Sequence, residues 1–196
     1  MRNRFVMGSL AAAFAVLAAA PLASAQAPAQ ASAAPVSSAV EKPTYVSIPM
    51  EITVDRPAAE VWKRVGKFCD IGEWLRIAAG CTILSGKDGE LGAVRSVANE
   101  VLVGKTELSY TYTQPVRNGR PYNLYHGTLE ARPMSANSTK LVYNLFFDNS
   151  MLADDAARER DIQQKKTQFN GALQNMKILA EGGTLPPAPA RGTPGQ

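Results

Sequence analysis

The chain has 196 residues, 45% of them hydrophobic and 19% charged, with 21 Lys+Arg against 17 Asp+Glu, one histidine and two cysteines. That balance suits one folded domain rather than a disordered or fibrous chain. The near-neutral charge, without a Lys/Arg run, argues against binding a nucleic-acid phosphate backbone, and a lone His126 with two cysteines is too few ligands for a structural zinc cage.

The first 25 residues carry Arg2 and Arg4, an apolar stretch from Phe5 to Leu22 and then Ala23-Ser24-Ala25, the small-x-small pattern of a secretory signal cleaved after Ala25. The apolar stretch is short and Ala-rich for a hydrocarbon core of about 30 Å, so no stable membrane insertion is expected. The expected location of the mature protein is periplasmic or secreted. Residues 26–42 are Ala/Pro/Ser/Gln with few large apolar side chains, and residues 182–196 are Gly/Pro-rich. Neither buries enough surface to offset chain entropy, so both are expected to be flexible arms around a folded body of residues 43–181.

The body opens on strict alternation, with Val46, Ile48, Met50, Ile52 and Val54 on one face, which predicts a half-buried strand over 44–54; Pro49 places it at a sheet edge. Asp55 is the expected cap of a helix over 57–68, in which Val61, Val65 and Phe68 recur at helical spacing and Trp62 packs. A short helix over 70–77 presents Trp74. From Cys81 on, six apolar runs separated by Gly/Asn/Asp turns predict an antiparallel meander. Ile162, Phe169, Leu173, Met176 and Leu179 then predict a long amphipathic helix over 155–181, ended by Gly182-Gly183. The expected fold class is α+β: a curved antiparallel sheet of about seven strands, ordered β-α-α-β6-α, wrapped around the C-terminal helix.

In that order, the stretches IPMEITVDRPAAEVWKRVGKF, EWL, LGAVRSV, ELSYTY, YHGTLEARP, TKLVYNLFFD and GALQNMKILAE resemble the START-like, birch-pollen-allergen-like superfamily, in its polyketide cyclase/dehydrase and lipid-transport branch. The resemblance implies a helix-grip fold with a cavity between sheet and C-terminal helix that takes a hydrophobic small molecule or lipid. Fold alone does not fix the chemistry.

Strand parity turns Leu141, Tyr143, Leu145 and Phe147 to one face, with Leu108, Tyr110 and Tyr112, and Tyr125, Leu129 and Ala131, toward Phe169, Leu173 and Met176 of the helix. Several tyrosines on an inner face suit either a pocket with polar handles or a core whose hydroxyls bond the backbone. A two-residue Val97-Ala98 turn would set Arg95 opposite Glu100, either orienting a ligand beside Tyr110 or forming an ion pair at the surface or pocket mouth. Trp74 either gates the cavity or caps the core. The candidate ligand-binding residues are therefore Trp74, Arg95, Glu100, Tyr110, Tyr112, Tyr125, Tyr143, Phe147, Phe169 and Leu173.

Cys69 and Cys81 read as a disulfide in an exported protein, with two buried free thiols as the alternative. His126 has the opposite parity to Tyr125 and is expected on the outer face. Without a Gly-x-Ser-x-Gly elbow, a second histidine or a phosphate-binding glycine motif, no catalytic residue, metal or cofactor is predicted. Asp154, Asp155, Glu159 and Asp161 read as a solvated helix start. Three functions compete: an exported binding protein, a cyclase/aromatase-like enzyme using the same cavity, and an accessory interaction protein whose protein partner the sequence does not name.

Overall fold

In the computed structural model the described residues are residue 40, 42–115 and 122–187. The expected signal, nearly all of the first arm, the whole VRNGRP turn (residues 116–121) and the end of the second arm lie outside them. The described residues belong to one unit, Ser37–Gln196.

The elements are β1 (Tyr45–Val54), α1 (Ala58–Val65), α2 (Ile71–Trp74), β2 (Ile83–Ser85), β3 (Val94–Arg95), β4 (Glu100–Lys105), β5 (Ser109–Thr113), β6 (Asn123–Ser135), β7 (Ser138–Asp148) and α3 (Asp155–Ala180). The seven strands form one curved antiparallel sheet in the order β1-β7-β6-β5-β4-β3-β2, the α+β helix-grip arrangement. β1 is an edge strand, where Pro49 removes no ladder donor that a neighbour needs. Its alternation holds: Ile48, Met50 and Val54 are buried while Ser47, Pro49 and Glu51 are exposed. Register shifts in the β4–β5 and β6–β7 pairings, at Leu102/Gly104 and Asn123/His126, add the local bends that curve a sheet around a helix.

Asp55 is not the cap of α1. Pro57 holds the N-cap position, its carbonyl accepting from Glu60 and Val61, and Asp55 lies too far back to reach the first turn. Its N–H instead donates to Glu181 Oε1 at 2.9 Å, joining the end of β1 to the end of α3. Asp154 does cap α3, accepting from Ala157 N at 2.7 Å. At the other end Gly182 has φ 87°, which glycine adopts without strain, and Gly183 N donates to Ile178 O at 2.8 Å. The first residues beyond the helix stay on the body: Leu185 packs against the core and Arg76 Nη2 donates to Pro186 O at 2.6 Å.

The core lies between the concave sheet face and the helices. Leu141, Tyr143, Leu145 and Phe147 of β7 are all fully buried, facing Phe169, Leu173 and Met176 of α3. The fully buried residues of α3 all fall between Phe169 and Leu179, so its C-terminal half is the anchored half. Asn175 Nδ2 donates to Trp74 O at 2.9 Å and ties that half to α2. A Cys69–Cys81 disulfide, with Cα atoms 5.3 Å apart, settles the thiol question and links the α1–α2 segment to the start of β2.

Candidate functional site

The β3–β4 hairpin pairs Val94 with Val101 and Arg95 with Glu100, a register centred on Val97-Ala98 as the alternation requires, while the tight turn inside it has Ala98 and Asn99 as its central residues. Ala98 and Asn99 take φ 50° and 53°, and Glu100 N donates to Val97 O at 3.0 Å. The pair is not at a surface. Arg95 is 0% and Glu100 2% exposed, with Arg95 Nε donating to Glu100 Oε2 at 2.6 Å.

A charge buried this deeply must be paired and hydrogen-bonded. Arg95 Nη1 also donates to Phe68 O, and the guanidinium lies 4.2 Å from the Phe68 ring centre and 4.6 Å from that of Tyr112. Burial works against its charge, but the fields of Tyr110 and Glu100 outweigh that and hold the pKa above its ordinary value. The second Glu100 oxygen accepts from Gln114 Nε2 at 2.8 Å, and Gln114 Oε1 accepts from the Tyr122 hydroxyl at 3.0 Å. A polar chain thus runs from Arg95 out to Tyr122.

The inward tyrosines stack around this chain. Tyr112 and Tyr143 share a hydroxyl–hydroxyl bond of 2.9 Å, and Tyr125 stacks on Phe147 with ring centres 5.5 Å apart. Burial pushes the Tyr112, Tyr125 and Tyr143 phenols far above their ordinary range. Tyr110 is raised by burial too, tempered by the Arg95 charge. All four are neutral at physiological pH; Tyr112 and Tyr143 bond each other, whereas the buried Tyr110 hydroxyl has no hydrogen-bond partner among the described residues.

Two cavities flank the buried pair. One, of about 340 Å³, opens between α3 and the sheet, where Tyr112, Tyr125, Tyr122 and Phe169 form aromatic walls, Glu100 and Gln114 a polar wall on the sheet side, and Asp161, Gln164, Lys165 and Gln168 a polar one on α3. The other, of about 530 Å³, lies between the α1–α2 segment and the far ends of β4 and β5.

The structure separates the predicted residues into groups. Glu100, Tyr112, Tyr125 and Phe169 line the sheet–helix cleft, and Tyr110 lines the other cavity. Arg95, Tyr143, Phe147 and Leu173 are buried and line neither. Trp74 is 0% exposed and sits edge-on to Tyr143 at 6.0 Å, the core-capping position rather than a gate. His126 is half-buried on the outward parity, its Nδ1 2.7 Å from Leu124 O.

Gln114, Tyr122 and Lys165 also belong to the cleft, and sequence pattern gave little sign of them. The signal for Gln114 was its place at the end of the strand run, with the inward parity of Tyr110 and Tyr112, whereas Tyr122 has the parity opposite to Tyr125. Asp161 is not part of a solvated helix start: its side chain is 16% exposed and paired with Lys165, whose ammonium lies 5.0 Å from both the Tyr122 and Phe147 ring centres. Among the described residues no group of three or more His, Cys, Asp or Glu is placed to hold a metal, and no helix is long and apolar enough to cross a membrane.

The fold recurs in solved structures. A protein of Nitrosospira multiformis is 22% identical, with 68% of this chain and 94% of that one aligned at TM-score 0.55. A protein of Thermobifida fusca is 22% identical over 70% of this chain and 95% of that one, at TM-score 0.54. The Zhui aromatase/cyclase of a Streptomyces species is 17% identical over 72% of this chain and 100% of that one, at TM-score 0.51. None of the curated protein sequences compared with the chain matches it. The sequence profile for polyketide cyclase / dehydrase and lipid transport matches residues 45–179, from the first residue of β1 to the last turn of α3, and the chain therefore belongs to that family, a START-like one whose roles are ligand binding or cyclase-like chemistry.

Proposed function

We propose that the protein is an exported binding protein that holds a hydrophobic or aromatic small molecule or lipid in the cleft between α3 and the sheet. The observation that carries this reading is the cleft wall itself: four aromatic side chains beside the Glu100–Gln114–Tyr122 hydrogen-bond chain. The aromatic walls supply affinity and the fixed polar groups supply orientation, the two contributions a ligand pocket combines. Export is supported by the N-terminal sequence pattern and by the Cys69–Cys81 disulfide, a bond that persists in oxidising compartments.

A cyclase-like reaction in the same cleft is the second reading, favoured by the Glu100 carboxylate on its wall. Binding is better supported. Arg95 is engaged by Glu100 and by Phe68 O behind the wall, and the neighbouring phenols are held neutral, so none of these groups is poised to exchange a proton near pH 7.

The test is native mass spectrometry of protein secreted to the periplasm and purified without detergent, followed by denaturing extraction of whatever is bound. A reproducible adduct that Gln168→Phe, at the cleft mouth, removes is the expected result. A clean unliganded mass, with no thermal shift against a panel of aromatics and lipids, overturns the proposal.

A further inference from the structure

The larger cavity has no place in that reading. β4 runs from Glu100, on the sheet–helix cleft, to Lys105, on the larger cavity; β5 runs back from Ser109 and Tyr110 to Tyr112. The two cavities therefore sit at opposite ends of the same two strands, and α3 contributes nothing to the lining of the larger one. Between them stands Arg95, with Phe68 and Tyr110 of the larger cavity and Tyr112 of the cleft all within 6 Å of its guanidinium.

Its interior is apolar and mainly aromatic. Trp62 from α1, Phe68 from the α1–α2 segment, Leu102 from β4 and Tyr110 from β5 converge there, the last three almost fully buried. Trp62 and Phe68 meet Tyr110 at centroid distances of 5.7 and 5.6 Å, at interplanar angles of 51° and 81°. These rings hold one another at fixed angles, so the aromatic surface is pre-formed. The mouth is held as well, since Lys105 Nζ donates to Gly89 O at 2.6 Å and ties the end of β4 to the loop between β2 and β3.

The rim identifies the class of ligand. Lys67 and Lys105 stand against Asp88 and Glu107, two cations and two anions, so the mouth presents no net charge to select an ion. A volume of about 530 Å³ falls within the range of small-molecule sites. We propose that this cavity is a second binding site, specific for uncharged aromatic molecules of two or three rings, independent of the sheet–helix cleft. Offset and edge-on contacts with Trp62, Phe68 and Tyr110 supply its affinity.

The sequence contains two tryptophans, which makes the site directly readable. The probe is N-phenylnaphthylamine, uncharged and fluorescent in apolar surroundings, titrated into the full chain and into Trp74→Phe, which leaves Trp62 as the only tryptophan. Saturable quenching of Trp62 with energy transfer to the probe is expected, and the anionic anilinonaphthalene sulfonate should bind no tighter. Thr106→Phe or Ser109→Phe, at the mouth, should weaken the Trp62 signal at least tenfold, while Gln168→Phe in the other cleft leaves it within twofold; circular dichroism confirms that each variant is folded. The proposal is overturned if Trp62 is not quenched up to the probe's solubility limit, or if Gln168→Phe removes the signal and folded Thr106→Phe and Ser109→Phe keep it. That second outcome would leave the sheet–helix reading standing, and a Trp62 signal without any cleft ligand would leave only this one.

Discussion

Arg95 and Glu100 face each other across the β3–β4 hairpin with Nε and Oε2 2.6 Å apart and with almost no exposed surface, so the fold contains an ion pair it must keep whole. Burying two charges costs several kcal/mol each, which the pair offsets by its own contact and by the bonds of Arg95 Nη1 to Phe68 O and of Gln114 Nε2 to Glu100.

Removing one partner is therefore predicted to be far worse than removing both. Glu100→Ala or Arg95→Ala should each lower unfolding free energy by about 3–5 kcal/mol, whereas Arg95→Met combined with Glu100→Leu should recover most of the loss. Urea denaturation of the three variants measures this. A double variant no more stable than the singles would show that the pair is not the source of the cost.

The disulfide should matter for the same site. Cys69 follows Phe68, whose carbonyl accepts from Arg95, and Cys81 leads into β2, which pairs with β3. With a sequence separation of 12, the cross-link should contribute on the order of 3 kcal/mol. A Cys69→Ala/Cys81→Ala variant, or the parent under a thiol reductant, should melt several degrees lower in a calorimetric scan. An unchanged melting temperature would mean that packing alone holds the α1–α2 segment.

Acid should loosen the join between α3 and the sheet. The Glu181 carboxylate is held below its usual range by the Asp55 N–H and by Lys177, and Glu73 likewise by its hydrogen bonds to Arg64. For carboxylates with lowered folded-state pKa, the stabilisation is fully present above the unfolded value, about 4.3, and is lost as pH falls through the folded value. Asp70, raised by burial, acts in the opposite sense. Melting temperature should be flat from neutral pH to about 5 and then fall, and Glu181→Gln should flatten that acid limb. An acid limb of the same slope in the variant would remove Glu181 from the account.

The elements were legible in the sequence because each has one clear periodicity. The alternation in β1 and β7 and the i, i+4, i+7 spacing around Phe169 specify faces, and burial follows them residue by residue. The same parity brings Arg95 opposite Glu100. Parity does not report depth, which is why it left open whether Arg95 and Glu100 orient a ligand or pair at a surface or pocket mouth, and why it could not tell that the pair lies buried and that Trp74 caps the core. The cavities were less legible, since their linings draw on residues just past strand ends such as Gln114, on half-buried helix positions such as Lys165, and on Phe68, which helical spacing marks only as core. The Asp161–Lys165 pair was hidden because a charge at i and i+4 on a helix is usually solvated.

Gly127 is one residue whose role appears only in three dimensions. It sits on β6 at an inward position, paired with Tyr112 on β5 and Leu145 on β7. A Cβ built there would overlap the Tyr112 ring and hydroxyl, so the missing side chain is the space in which Tyr112 lies. Gly127→Ala must push that ring aside, breaking the Tyr112–Tyr143 hydroxyl bond and moving the face that packs on Arg95. Ordinarily alanine in a strand costs little; here overpacking should cost about 1–3 kcal/mol and leave the Tyr143 hydroxyl without its partner. Tyr112→Leu should be destabilising alone, yet in the Gly127→Ala background it should cost less, because the ring that collides is gone. A double-mutant cycle by urea unfolding reads that coupling, and strictly additive losses would show that Gly127 does not serve to seat Tyr112.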